Sequence, residues 1–159
     1  MQRVSLGSGD WSVNLTLVQG DNALEIWAED TAGNRSASEW VDILVDSVAP
    51  VISGITPEDN SFLNAPPAMV VIEYVEETSD LNLDNTTHSI KDSSLTEEPG
   101  TWTTSGGNQL IFTPAGTLIE SNYTVDVQLE DNLGNRGTAA QYHFTVDTTP
   151  PPAPEINPV

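Results

Sequence analysis

Two acidic, glycine-centred stretches are the residues of this chain best suited to bind a metal ion. EDTAGNR (29–35) and EDNLGNR (130–136) agree at five of seven positions, and they lie 130 − 29 = 101 residues apart. Ca²⁺ takes about six to eight oxygen ligands from carboxylates, amide carbonyls and backbone carbonyls. The carboxylate and amide oxygens of these two stretches therefore predict a calcium site.

Further carboxylates follow predicted strands or occupy the turn PEDN (57–60). The predicted metal ligands are Asp30, Asp46, Glu58, Asp59, Glu130, Asp131, Asn135 and Asp147. A second explanation is sufficient for the two stretches and is the more economical, because an Asp before a Gly-Asn turn accepts hydrogen bonds from backbone amides in an Asx turn. No Asp-x-Asp-x-Asp-Gly loop of the EF-hand kind is present. Calcium and the turn alone both remain open.

The repeat extends well beyond the two turns. Residues 24–50 fall on residues 125–151 without a gap, and apolar residues alternate with polar ones on both sides of each turn. Alternation with period two indicates a strand with one buried face. Each copy is therefore predicted to form a strand, a Gly-containing turn and a second strand, with Gly33 and Gly134 supplying the positive φ angle that the turn requires.

A period of about 100 residues suits tandem β-sandwich domains of about seven strands each. We predict a complete domain over residues 50–149, preceded by the C-terminal part of another over 1–49, which another chain could complete. Residues 150–159 are predicted to be a linker or the start of a next domain, and the whole to be an excerpt from a longer array. Between the two hairpins the predicted strands are Val51–Ile55, Met69–Val75, Ser79–Asp84, Thr86–Ile90, Thr101–Thr104 and Gln109–Thr113. Before the first hairpin, strands are predicted over residues 4–7 and 11–17.

Charge and composition exclude several classes of function. The chain has 24 acidic residues against four basic ones, a net charge of −20, so nucleic acid and anionic membranes are repelled. No apolar run is long enough to span a membrane, and cysteine is absent. The two histidines, His88 and His143, belong to no catalytic motif. We therefore predict that the protein is not an enzyme, inserts in no membrane and binds no nucleic acid.

Two segments carry a resemblance to a known family. GDNALEIWAEDTAGNRSASEWVDILVDSVAP and NQLIFTPAGTLIESNYTVDVQLEDNLGNRGTAAQYHFTVDTTPP resemble the closing portions of bacterial Ig-like domains, which occur in tandem in surface adhesins and secreted enzymes. The resemblance implies an Ig-like antiparallel β-sandwich at the cell surface or outside the cell. It also implies neighbouring Ig-like domains, of the same or an adjacent chain, as partners.

From this resemblance we expect a spacer or stalk module of a large exported, adhesin-like protein, stiffened by calcium at its joints. One alternative is a filament subunit that completes its half domain with a strand from the next chain. Another is an accessory module that binds glycans through Trp27, Trp40 or Trp102, because exposed aromatic side chains often mark contacts. A glycan or a cell-surface receptor would then be a further partner.

Overall fold

The computed structural model describes residues 12–106 and 108–155. Within these residues the chain forms strands, turns and loops, and they contain no helix long and apolar enough to cross a membrane. The chain divides into two compact units, Met1–Ser47 and Val48–Val159, which are described separately.

The first unit contains one β-hairpin. β1 (Gly20–Ile26) pairs antiparallel with β2 (Glu39–Val45), with Leu24 opposite Val41. Over residues 12–47 no side chain is buried, although β1 alternates between half-buried and exposed residues. The predicted strand over residues 11–17 is not a strand in residues 12–17, and the predicted strand over residues 4–7 lies outside the described residues.

The second unit is a sandwich of two four-stranded sheets. One sheet has the order β4-β10-β9-β6 and the other the order β3-β5-β8-β7. The strands are β3 (Val51–Thr56), β4 (Ser61–Leu63), β5 (Val70–Val75), β6 (Thr87–Lys91), β7 (Gly100–Ser105), β8 (Gln109–Pro114), β9 (Ser121–Gln128) and β10 (Ala140–Val146). The predicted all-β sandwich is confirmed.

Period-two alternation builds the core of the sandwich. In β9 Tyr123, Val125 and Val127 are buried while their neighbours are not. Apolar side chains of β10, in the same sheet, and of β5 and β8, in the opposite sheet, belong to the same core. Burial of this apolar surface is the main stabilising contribution of the fold. The buried core residues are Val70, Ile72, Tyr74, Leu81, Ile90, Leu110, Phe112, Leu118, Tyr123, Val125, Val127, Leu129, Phe144 and Val146.

Two details differ from the sequence-based expectation. Ser79–Asp84, expected to be a strand, makes only an isolated bridge from Leu81 to Asp131, because its backbone instead bonds the loop after β9. β4 is not predicted from the sequence, and it pairs parallel with β10, whereas every other strand pair among the described residues is antiparallel. The boundaries of a partial preceding domain stay a prediction.

Candidate functional site

The two repeated turns have the same hydrogen bonds. Asp30 Oδ1 accepts from the backbone amides of Ala32 and Asn34, both at 2.9 Å, and Asp131 Oδ1 accepts from Leu133 and Asn135 at the same distances. In both turns the Asn side chain donates to the second carboxylate oxygen at 2.8 Å. Gly33 and Gly134 have φ of 90° and 88°. The predicted Asx turn is therefore present in both copies.

The second turn is tied into the sandwich, whereas the first is exposed. Asp131 is fully buried, and the segment beside it is bonded through Asn132 N to Asp80 O and through Asn82 N to Glu130 O. Glu130 accepts from Arg136 at 2.7 Å and from Asn85 at 2.8 Å. These two hydrogen bonds, the one from Arg136 first, lower the pKa of Glu130. The acidic residues of this loop therefore hold the loop itself.

The other predicted metal ligands of the second unit lie elsewhere along β10. Asp59 accepts from the backbone amide of His143 at 2.8 Å, and Glu58, next to it, is exposed in the turn before β4. Asp147 follows the end of β10 and accepts from Thr149 N at 3.1 Å. Asp131 lies in the loop that precedes β10 and Asp147 follows its end, and the seven residues of β10 span roughly 20 Å.

The structure thus brings together Glu130, Asp131 and Asn135 and leaves Asp59 and Asp147 apart from them. Asp30 holds the exposed turn of the first unit, and Asp46, after β2, accepts from the Gln19 side chain at 2.6 Å. Ca²⁺ requires converging oxygens at about 2.3–2.6 Å. Residues at opposite ends of one strand cannot converge on one ion.

An open cleft lies between the edge strands of the two sheets. β6 ends one sheet and β7 ends the other, so their side chains meet where no further strand closes the sandwich. The cleft has a volume of about 430 Å³. Its lining residues are Leu83, Asp84, Thr86, His88, Gly100, Thr101 and Trp102.

His88 and Trp102 bridge the cleft floor. Their rings stack with centroids 4.5 Å apart and an interplanar angle of 20°, and Trp102 packs in turn on buried Phe112 at 5.0 Å. Gly100, the first residue of β7, leaves room for the Phe112 ring, which a Cβ at that position would meet. The imidazole is therefore held in place by a rigid aromatic stack that is continuous with the core.

The ring nitrogens of His88 are available for a ligand. Within the described residues, no hydrogen bond to the His88 side chain is present. Asp84 lines the same cleft and is exposed. An imidazole nitrogen and a carboxylate oxygen in one cleft form a donor set suited to a borderline divalent metal such as Cu²⁺ or Zn²⁺.

The second histidine belongs to a different surface. His88 pairs with buried Val127 and so lies on the core side of its sheet, whereas His143 pairs with Thr124 and precedes buried Phe144. Directly paired residues point to the same face of a sheet and successive residues to opposite faces. The two imidazoles therefore lie on opposite faces and do not share a ligand.

The sequence does not mark His88 as a ligand, because no motif accompanies it. The one available signal was its spacing of two from Ile90, which places both side chains on the same face. The sequence predicts Trp102 as an exposed aromatic residue that binds glycans. In the structure it is half-buried and packs on the core. Trp27 lies under Arg35, whose guanidinium is 4.9 Å from the ring centroid, and Trp40 is 62% exposed.

Comparisons with known proteins identify the sandwich. The family model described as a bacterial Ig-like domain matches residues 51–148. Bacillopeptidase F of Bacillus subtilis (strain 168) is 25% identical over 138 residues, which are 84% of this chain and 10% of that protein. The chain thus spans about a tenth of the length of this relative. The predicted Ig-like character of the fold is confirmed.

Solved structures share the fold at low sequence identity. PcoC, a methionine-rich copper resistance protein from Escherichia coli, is 17% identical with a TM-score of 0.51, over 63% of this chain and all of that one. CopC from Methylosinus trichosporium OB3b is 18% identical with a TM-score of 0.52, over 62% of this chain and 93% of that one. At this identity the likeness concerns the fold alone.

These structures overturn the function expected from the sequence. The fold is shared with a copper resistance protein, so it does not indicate an adhesin stalk, and function has to be argued from a site rather than a fold. The spacer function, together with its filament and glycan-binding alternatives, is wrong. Calcium as the cofactor is also wrong, and the separation of the predicted ligands along β10 is a physical reason for it.

Proposed function

Because the chain belongs to the bacterial Ig-like domain family, we propose that it is a non-enzymatic binding module of an exported bacterial protein and that its edge cleft binds Cu²⁺. The observation that carries the proposal is the orientation of His88, stacked on Trp102 with its ring nitrogens free of hydrogen bonds to the described residues. A preorganised ligand costs less entropy to order on binding than a mobile one.

The donor set supports Cu²⁺ over other forms of copper. Cu⁺ prefers thioether and thiolate sulfur, whereas Cu²⁺ accepts imidazole nitrogen together with oxygen ligands. The chain has no cysteine and two methionines, and the described one, Met69, lies just before β5, whereas His88 lies on β6. His88 and Asp84 would hold the ion, and the site would lack the methionine-rich character of PcoC.

An exported setting is supported by charge and by family. A net charge of −20 keeps a protein soluble at high protein concentration and repels nucleic acid. The family is described as bacterial Ig-like, and other Ig-like domains, of the same or an adjacent chain, are its proposed neighbours. In this setting the module would carry its ion on a rigid sheet edge and perform no covalent chemistry.

Calorimetric titration of CuCl₂ into the full chain tests the proposal. We expect one saturable site that His88→Gln weakens about tenfold or more and Asp84→Asn weakens to a smaller extent, because imidazole is the better Cu²⁺ ligand. His143→Gln is the matched control, and it should bind as the native chain does. Equal weakening by the two histidine variants, or no saturable site, would show that copper only decorates the acidic surface.

A further inference from the structure

The hairpin of the first unit reproduces the last hairpin of the sandwich residue for residue. β2 (Glu39–Val45) and β10 (Ala140–Val146) are offset by 140 − 39 = 101 residues at both ends. Leu24 pairs with Val41, and Val125 pairs with Tyr142 at the same offset. Together with the matching Asx turns, this makes β1–β2 the structural counterpart of β9–β10.

In the sandwich, most of the inner face of this hairpin is covered, and only Ala140 and Tyr142 on it are partly exposed. Val125, Phe144 and Val146 are 0%, 2% and 0% exposed. The cover is the opposite sheet, whose β5 and β8 contribute Ile72 and Phe112 to the same core cluster. A second sheet bearing large apolar side chains is therefore what the hairpin is shaped to pack against.

The counterparts of these residues in the first unit have no such cover among residues 12–47, the part of that unit that the structure describes. Leu24, Ile43 and Val45, the counterparts of Val125, Phe144 and Val146, are each half-buried instead of buried. No described residue of the first unit is buried. A two-stranded hairpin is at best marginally stable in water, and a sheet needs a third strand or a packed apolar face.

We propose that the inner face of β1–β2 is a docking surface for the opposite sheet of an Ig-like sandwich, carried by a neighbouring Ig-like segment. The occupant would present inward apolar residues in the way that β5 and β8 do in the second unit. A second copy of this chain is a poorer occupant, because the matching sheet among its described residues already covers β9–β10. Two copies would also bring together chains of net charge −20.

A fusion protein that supplies an opposite sheet to β1–β2 tests the proposal. At the offset of 101, residue 12 corresponds to residue 113, so a copy of residues 48–112 is joined directly to Ser12, and the chain then continues to Val159. We expect backbone amides of β1–β2 to exchange with solvent about 100-fold or more slowly in the fusion than in the native chain, since burial suppresses local opening. Ile43→Asp in the fusion should restore fast exchange.

Two further measurements keep the result decisive. In a positive control, the fusion protein carries on the inner face of β1–β2 the residues that β9–β10 has at the corresponding positions. The substitutions are Asn22→Tyr, Leu24→Val, Ile26→Val and Ile43→Phe. If the control gains protection and the unmodified fusion does not, the proposal is overturned. Sedimentation of the native chain should show a monomer, whereas a dimer that Ile43→Asp dissociates would assign the face to self-association instead.

Discussion

The imidazole of His88 stacks on the indole of Trp102 across the gap between the two sheets, 4.5 Å apart and 20° from parallel. These residues belong to edge strands of different sheets, so their contact joins the sheets at the one side of the sandwich where the cleft opens. Trp102 continues inward to Phe112, which is 1% exposed. The stack is thus both a structural contact and the floor of the candidate site.

Replacing Trp102 by alanine should destabilise the sandwich. Trp102 is half-buried and packs on Phe112, so we expect Trp102→Ala to lower the free energy of unfolding by about 1–3 kcal/mol, less than a fully buried tryptophan would. Urea denaturation followed by circular dichroism measures this. Trp40→Ala, at a 62% exposed position of the first unit, should change it by less than about 0.5 kcal/mol.

The repeated turns permit a matched comparison of two aspartates. Asp131→Ala removes the buried carboxylate that accepts from the Leu133 and Asn135 amides, and it should cost about 1–3 kcal/mol. Asp30→Ala removes the same bonds from an exposed turn, where water replaces them. Urea denaturation of the two variants should therefore differ, and equal losses would show that burial does not set the cost.

Gly100 should not accept a side chain. A Cβ placed there meets the Phe112 ring and lies 2.6 Å from the Thr113 carbonyl oxygen, so Gly100→Ala forces β7 or the ring to move, at about 1–3 kcal/mol. Gly116→Ala, where a Cβ meets no atom within 4 Å, is the control. A thermal melt should show a lower midpoint for the first variant only; unchanged stability of Gly100→Ala would mean that the cleft wall is loosely packed.

Stability should fall in acid, in part through Asp126. Hydrogen bonds from the Gln141 side chain, at 2.7 Å, and from Lys91, at 3.0 Å, lower the pKa of Asp126. A carboxyl whose pKa is lower in the folded state stabilises the fold above its unfolded pKa of about 3.9, and this contribution is lost as the pH falls through the folded pKa. Urea midpoints measured from pH 6 to pH 2 should decline less for Asp126→Asn than for the native chain. Glu58→Gln, in an exposed turn, should follow the native curve.

Much of the fold could be predicted from the alternation of apolar residues and from the 101-residue repeat. The predicted strands of the last hairpin match β9 and β10 because Tyr123, Val125, Phe144 and Val146 all face one core. β4 escaped prediction because a three-residue strand carries almost no periodicity. The predicted strand around Leu81 was misjudged because the pattern does not show that its backbone bonds a distant loop.

The candidate site was the part least accessible from the sequence. His88 and Trp102 are 14 residues apart on strands of different sheets, and only the packing of β6 beside β7 brings them together. The acidic turns were predicted as the metal site instead, because their carboxylates are neighbours in the sequence. In the structure these carboxylates accept hydrogen bonds from their own loop. Residue type alone does not distinguish this role from metal binding.

Electron paramagnetic resonance of the Cu²⁺-loaded chain tests copper binding at the His88–Trp102 cleft most directly, because nitrogen hyperfine coupling reports an imidazole ligand. With one equivalent of Cu²⁺, we expect coupling to one imidazole nitrogen in the native chain and in His143→Gln, and its loss in His88→Gln. Coupling that persists in His88→Gln, or a spectrum with oxygen ligands alone in the native chain, would contradict copper binding at the His88–Trp102 cleft.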